Sequence, residues 1–262
     1  NTQGAMSIMG FEERKRAYRP LLPNIDFIEF NNEKDIEKID YQTAAVVLET
    51  IQGGAGFLIP KNNYLKKIRK KCNEVNALLI LDEIQPGMGR TGKLFAFEHY
   101  EIVPDILVYG KGLGGGFPIG ALSSSKEKMK LFKEKPALGH ITTFGGHPVI
   151  AAAALANLKE TLNSDVMKKI AQKENLIREL LCHELILEVR GKGLMLALIM
   201  KNTTIANTLV KKCLHEGLIL FWLLFESKAV RITPPLTISK TEIKLGCKII
   251  LDVLNKVKNS VN

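Results

Sequence analysis

Two short clusters in this chain carry residue types suited to amine and carbonyl chemistry. One is Asp82-Glu83-Ile84-Gln85, which closes the apolar run Ala77–Leu81. The other is Lys111, set within Gly110-Lys111-Gly112-Leu113-Gly114-Gly115-Gly116 directly after the apolar run Ile106–Tyr109. Both lie where a buried strand would end, and in α/β sheets ligands bind beyond the carboxyl ends of the strands. A carboxylate there can hold a proton on a ligand nitrogen. A lysine amine can add to a carbonyl and, when free, carry a proton.

Three chemistries compete for these loops. Gly87-Met88-Gly89-Arg90-Thr91-Gly92-Lys93 has the spacing of a phosphate-binding P-loop after a strand, but Leu94 stands where a Ser or Thr hydroxyl should bind magnesium. Gly110, Gly112 and Gly115 match the Gly-x-Gly-x-x-Gly of a dinucleotide site. However, Pro118 follows where the helix should open, and no acidic residue closes a second strand at the expected distance. The third chemistry is that of pyridoxal phosphate (PLP). It needs a lysine amine to condense with its aldehyde and a carboxylate to keep its pyridine nitrogen protonated, so that the ring withdraws electrons. Lys111 and Asp82 are those types on neighbouring strand ends. Taken singly, Lys111 reads equally well as a solvated surface lysine and Asp82 as a turn or cap residue.

The elements that must position these residues follow from periodicity. Thr43–Glu49, Ala77–Asp82, Asp105–Tyr109 and Ile119–Ser123 read as strands, and their continuous apolar character predicts cover on both faces. Residues 62–75 carry Leu65, Ile68 and Cys72 among lysines, the spacing of an amphipathic helix. A helix is predicted from Pro148 to about Leu162, and another over 165–184. Beyond these come extended stretches in Ile186–Met200 around Gly191-Lys192-Gly193, a helix over 203–216, extended pieces at Gly217–Phe221 and Ala229–Thr233, and a helix over Lys240–Lys258. Strands separated by helices imply an α/β fold with a mainly parallel sheet, and the change of pattern places a domain boundary near residue 163: a large domain over 1–163 and a smaller α+β domain over 164–262.

Composition narrows the class. The chain has 262 residues, 46% hydrophobic and 24% charged, which is globular and long enough for a substantial core. The longest apolar run, Leu218–Phe225, is too short to span a bilayer, and it reads as core or as a pocket wall. Cys72, Cys182, Cys213 and Cys247 have no paired spacing, so they read as reduced, buried thiols of a cytoplasmic protein rather than disulfides or a zinc site. His140 and His147 lack metal spacing and read as structural, His147 with a place near the site. Net charge is +10, but the densest cluster, Lys66, Lys67, Arg69, Lys70 and Lys71, has no interleaved aromatics, which favours a solvated helix face over a nucleic-acid surface. The start, Asn1-Thr2-Gln3-Gly4, has neither a methionine nor the basic and apolar regions of a signal peptide, and suggests a true start upstream.

The combined motifs resemble the class III PLP-dependent aminotransferases, the group that includes acetylornithine, ornithine and 4-aminobutyrate aminotransferases. The matching stretches are Leu81 to Gly92, Pro104 to Leu107, Gly110 to Gly116, Pro118 to Ala121, Gly139 to Pro148, Val189 to Leu194 and Val230 to Leu236. They run in family order from Asn1 to about Ser239, and the acetylornithine and ornithine enzymes look nearest. The resemblance implies a fold-type I PLP-dependent transferase acting by ping-pong transamination between an acetylornithine- or ornithine-like amine donor and a keto acid such as 2-oxoglutarate. It implies a homodimer with the site at its interface, and no metal, nucleic acid or membrane.

The resemblance also implies a role for each matching residue. Lys111 is the Schiff-base lysine and proton carrier. Asp82 pairs with the pyridinium nitrogen, within a cofactor-binding stretch of Asp82, Glu83, Ile84 and Gln85 whose Gln85 bonds the ring hydroxyl. Thr143 binds the cofactor phosphate from the neighbouring subunit, Thr142 touches substrate, Arg231 clamps a substrate carboxylate, and Glu49 supports the site from behind. Two departures stand out. The family's upstream phosphate-binding stretch and ring-stacking aromatic are not in this sequence, so the chain reads as a C-terminal fragment. Gly54 also stands where the acetylornithine and ornithine enzymes carry Glu, which leaves Arg231 uncompensated and the donor open. Another class III PLP enzyme, such as an aminomutase, and an inactive remnant are the other readings.

Overall fold

The computed structural model describes residues 2–134, 136–138 and 141–259. The chain opens with two short helices, α1 (Gln3–Ser7) and α2 (Glu12–Lys15). A first sheet then forms from β1 (Ala45–Glu49), β2 (Leu78–Asp82), β3 (Ile106–Gly110) and β4 (Gly120–Ser124), in that spatial order. The first three strands are parallel and β4 runs antiparallel to β3. The crossover from β1 to β2 is α3 (Tyr64–Val75), whose Leu65, Ile68, Cys72 and Val75 are buried on one face, as their spacing of three and four predicts. Its opposite face carries the lysine cluster, and every member is neutralised: Lys66 by Glu101, Lys67 by Glu33, Arg69 by Asp105, Lys70 by Glu74 and Lys71 by Glu37. The cluster is therefore a paired surface, not a free basic patch.

The expected cover on both faces of this sheet is corrected. Leu79 and Leu81 are fully buried among Leu65, Ile68 and Cys72, but Val47 is 43% exposed and Leu122 is 50% exposed. Within the described residues α3 packs against one face of β2, while the outward-facing Val47 and Leu122 keep about half their surface open. The cysteine expectation is corrected at one position: all four are free and three are buried, but Cys182 is exposed just beyond the helix that ends at Leu180.

Downstream, α4 (Lys126–Lys130) leads to α5 (Pro148–Asn163), which opens on Pro148 at its first turn, where the missing N–H costs nothing. The remaining elements are α6 (Ile170–Leu180), β5 (Ile186–Lys192), β6 (Met195–Met200), α7 (Thr203–His215), β7 (Phe221–Trp222), β8 (Ala229–Ile232) and α8 (Lys240–Asn259). The helix expected over 165–184 is thus shorter at both ends, and the extended piece expected at Gly217–Phe221 forms a strand only from Phe221.

The second sheet, in the order β5-β6-β8-β7, is antiparallel throughout. Every residue of β6, Met-Leu-Ala-Leu-Ile-Met, is buried, because the strand is covered twice. Leu196, Leu198, Met200, Val230 and Ile232 pack with α6, α7 and α8. The alternate residues Met195, Ala197, Ile199 and Ala229 pack against Ile51, Phe57 and Ala96 from the loops of the first sheet. The two sheets therefore share an apolar junction at the carboxyl end of β1.

At Gly193 backbone meets backbone across the junction. It has φ +62°, and a Cβ placed on it would lie 2.6 Å from both the Arg90 carbonyl oxygen and Thr91 Cα. Gly193→Ala is expected to destabilise the chain by about 1–3 kcal/mol through backbone strain alone, with the backbone clash added, as read by the midpoint of urea unfolding.

Candidate active site

Parallel register brings the chemistry-bearing residues to one edge. Glu49 is the direct partner of Asp82 between β1 and β2, and Asp82 is the partner of Val108, three residues before Lys111. Lys111 opens a 3-10 turn, Lys111–Gly114, and adopts φ +42°, a left-handed conformation that costs a side-chain-bearing residue about 1–3 kcal/mol. Asn157 of α5 holds that turn, donating through Nδ2 to the carbonyl of Gly112 at 2.6 Å.

The carboxylates are set against their ordinary behaviour. Burial raises the Asp82 pKa, opposed by the Ile84 amide donating to Oδ1 at 2.9 Å and by the charge of Lys111. Burial also raises the Glu49 pKa, with the Asp82 charge adding to the rise; the Gly53 amide, at 2.8 Å, and Lys111 act the other way. Gln85 completes the group. A Cβ on Gly53 would lie 2.4 Å from Gln85 Oε1 and 3.0 Å from Glu49 Oε2, so both side chains converge over that glycine. Ile84, Gln85, Met88, Arg90 and Lys111 line a cavity of about 860 Å³ that reaches across to the turn after β8.

Glu83 is the residue that departs from the cofactor-binding stretch expected from sequence. Alternation along the strand turns it away from Asp82. Its carboxylate is fully buried and takes the Thr50 hydroxyl at 2.5 Å and the amides of Ala96 and Phe97 at 2.9 and 2.8 Å. It anchors the loop that follows β2 and has no oxygen left for a ligand. Gly87–Gly92 likewise offers no phosphate cradle: the amides of Gly87, Gly89, Arg90 and Gly92 already bond to carbonyls of Glu83, Leu94, Gly87 and Gly89.

Arg231 lies on β8, opposite Ala197 and Phe221. It shares its face with Ala229 and Ala197, which pack on Ile51 and Phe57, so it faces the junction. Its guanidinium sits 5.3 Å from the Phe221 ring centre and gives one long bond to the Trp222 carbonyl, 3.4 Å, while Nε is buried without a partner. Gly54 lies under an aromatic ring. The Phe225 ring occupies the space of any side chain there, 2.5 Å from a Cβ, and it is itself stacked on Phe11. The Leu218–Phe225 run is thus core at Leu220, junction packing at Leu223 and Phe225, and exposed at Ile219, Phe221 and Leu224.

Thr142 and Thr143 are not brought to this group. Both are exposed, in a turn where the Gly145 amide bonds to the Thr142 carbonyl. His147 is exposed at the start of α5, and His140 lies outside the described residues. Sequence reading missed Thr50, which bonds Glu83, and Asn157, whose Nδ2 donates to the carbonyls of Gly112 and Leu113 in the Lys111 turn, and it missed Phe225 as the occupant of the space above Gly54. Among the described residues no His, Cys, Asp and Glu group is placed to hold a metal, and no helix is long and apolar enough to cross a membrane.

The raised Glu49 pKa has a signed consequence. The folded chain holds this proton more tightly than the unfolded one, so the residue costs stability as pH rises from the ordinary carboxylate range through its folded pKa. Glu49→Gln, which keeps an acceptor for the Gly53 amide, is expected to raise the unfolding midpoint at pH 7 and to leave it unchanged near pH 4. A midpoint difference that does not shrink on acidification refutes a buried, desolvated Glu49.

Comparison with known proteins gives a consistent result. Residues 1–254 match the family described as aminotransferase class-III. The putrescine aminotransferase of Pectobacterium atrosepticum is 40% identical, over 98% of this chain and 58% of that protein. The acetylornithine aminotransferase of Caldanaerobacter subterraneus subsp. tengcongensis is 38% identical, over 98% of this chain and 65% of its own length. An ornithine aminotransferase from Toxoplasma gondii, whose structure has partial occupancy of PLP at the active site, superposes with a TM-score of 0.90 at 31% identity, covering 99% of this chain and 62% of that one. The chain thus spans about three-fifths of the length of these relatives. With this family match over residues 1–254, the chain belongs to the class-III aminotransferase family.

Proposed function

We propose that this chain carries the lysine, acid and arginine side of a PLP-dependent aminotransferase site. The observation that supports the reading best is the convergence of Lys111, Asp82, Glu49 and Gln85 at the ends of three parallel strands. PLP fits this donor set. Asp82 is half-buried, has a raised pKa and accepts a single bond among the described residues, so a protonated ring nitrogen would supply the positive partner its second oxygen lacks. When bound, PLP supplies an electron sink for charge developing at the substrate's α-carbon. Asp82 holds the proton on the ring nitrogen. Gln85 orients the ring by a hydrogen bond to its hydroxyl. Lys111 Nζ takes the proton from the donor's reacting carbon, and Glu49 fixes the local field through Gly53 and Gln85.

Arg231 is assigned to a substrate carboxylate, where a planar guanidinium gives two parallel bonds. Its buried, unpartnered Nε supports an anionic ligand. Because Phe225 fills the space at Gly54, Arg231 stays uncompensated in both half-reactions, which favours donors and acceptors that each carry a carboxylate at that end. The donor class we propose is an acetylornithine- or ornithine-like amine, and the acceptor is a keto acid such as 2-oxoglutarate, in ping-pong order. The exposed Thr142 and Thr143 would serve a second copy of the chain, Thr143 at the cofactor phosphate, in a homodimer. Residues 1–163 and 164–262 would form the large and small domains around the two sheets, and the four free thiols suit a cytoplasmic setting.

Borohydride reduction of the full chain with added PLP, followed by peptide mapping, is expected to fix the label on Lys111 and to lose it in Lys111→Ala. Scattered labelling overturns the cofactor reading. Arg231→Lys is expected to raise KM for a dicarboxylate acceptor roughly tenfold, the value of about 1.5 kcal/mol for one bond to a charged group. An unchanged KM removes Arg231 from the site.

A further inference from the structure

The segment after Arg231 reads Ile232-Thr233-Pro234-Pro235-Leu236. Two consecutive prolines remove two backbone donors; the Pro235 carbonyl takes the Ile238 amide at 3.0 Å, while the carbonyls of Pro234 and Leu236 depend on donors from elsewhere. They receive them from two cationic side chains on different elements. Arg90, in the loop after β2, donates through Nη1 to the Pro234 carbonyl at 2.5 Å. Lys173, on α6, donates through Nζ to the Leu236 carbonyl at 2.6 Å. Lys173 is only 8% exposed, and neither cation forms an ion pair among the described residues. Burial lowers the pKa of both. Burying a cation on a neutral carbonyl is costly, and charged donors make the stronger hydrogen bonds, so such bonds are suited to holding a backbone in one place.

Arg90 is tied in on its other side as well. Its carbonyl accepts the Leu194 amide at 3.0 Å, and its Nη1 reaches the Leu194 carbonyl at 3.4 Å. It lies five residues beyond Gln85, in a loop anchored where the Gly87 amide bonds to the Glu83 carbonyl. One side chain therefore links the Asp82–Gln85 loop, the turn between β5 and β6, and the exit of β8. We propose that Arg90 and Lys173 clamp the Pro234–Leu236 turn and so position Arg231, setting the span between the amine end of the site at Lys111 and the carboxylate end at Arg231. The clamp follows from the bonds themselves; its effect on ligand rests on the assignment of Arg231 to a substrate carboxylate. Both residues are positioning residues, with no contact to reacting atoms required.

The test compares the full chain with Arg90→Met, Arg90→Lys and, on the separate element, Lys173→Met. Hydrogen exchange is followed by mass spectrometry, and glutarate binding by calorimetry with PLP added. In Arg90→Met and Lys173→Met, exchange across residues 229–238 is expected to speed up about tenfold while residues 78–82 keep their protection. The glutarate dissociation constant is expected to rise about tenfold, with borohydride labelling of Lys111 unchanged. Arg90→Lys is expected to recover part of both effects. Unchanged exchange in both methionine variants overturns the clamp. Faster exchange with unchanged glutarate affinity overturns the positioning role. A parent chain labelled at Lys111 that does not bind glutarate overturns the Arg231 assignment and the positioning role with it, whereas a parent chain that binds glutarate without labelling refutes only the cofactor reading.

Discussion

A carboxylate withdrawn from water at a strand end needs hydrogen-bond donors or opposite charge around it, and the parallel pairing of β1, β2 and β3 is what brings charge to this one. Register places Glu49 beside Asp82, and the next strand delivers Lys111 three residues past Val108. Burial raises the pKa of both acids and Lys111 pulls both back. Each group is poorly placed alone and better placed in company. The arrangement leaves a half-buried acid with an unmatched oxygen near a lysine, an electrostatic demand that a cationic ring nitrogen would meet.

That demand is held by a rigid surround. Glu83, the residue next to Asp82, turns the other way and spends its charge on Thr50, Ala96 and Phe97. Asn157 fixes the turn that starts at Lys111, so the left-handed conformation there is stabilised by a neighbour rather than left to relax. Adjacent acids thus play opposite parts: one is satisfied and structural, the other under-satisfied and available. Strand alternation is the reason a single Asp-Glu pair can do both.

Much of this was legible in the sequence. Continuous apolar runs marked the strands, spacing of three and four marked α3, and the residues at the strand ends pointed to the chemistry before any coordinates. What was not legible depended on tertiary placement. The sequence could not show that Glu83 is consumed internally, because Asp82 and Glu83 have the same chemistry and differ only in which face they meet. Nor could it show that Phe225 covers Gly54 from a distance of well over a hundred residues, or that Val47 and Leu122 lie half open. Continuous apolar runs report an intended burial on both faces, and the described residues supply cover on one.

The junction between the sheets sets how the strand-end group and Arg231 lie relative to each other. The acid–lysine cluster belongs to the first sheet and Arg231 to the second, so the length of any ligand bridging them is set by how firmly the sheets are joined. Apolar packing of Ile51 and Phe57 against Ala197 and Ala229 holds the faces together but does little to fix sliding, because dispersion contacts are weakly directional. Direction comes from hydrogen bonds that cross the junction: the backbone bond from Leu194 to Arg90, the side-chain bond from Arg90 to Pro234, and the bond from the Phe225 amide to the Gly54 carbonyl. The last of these also seats the ring that excludes a carboxylate from position 54. On the proposed assignment of Arg231, the contacts that fix the span would also fix the charge at its far end, so that selection by length and selection by charge would arise from one set of bonds.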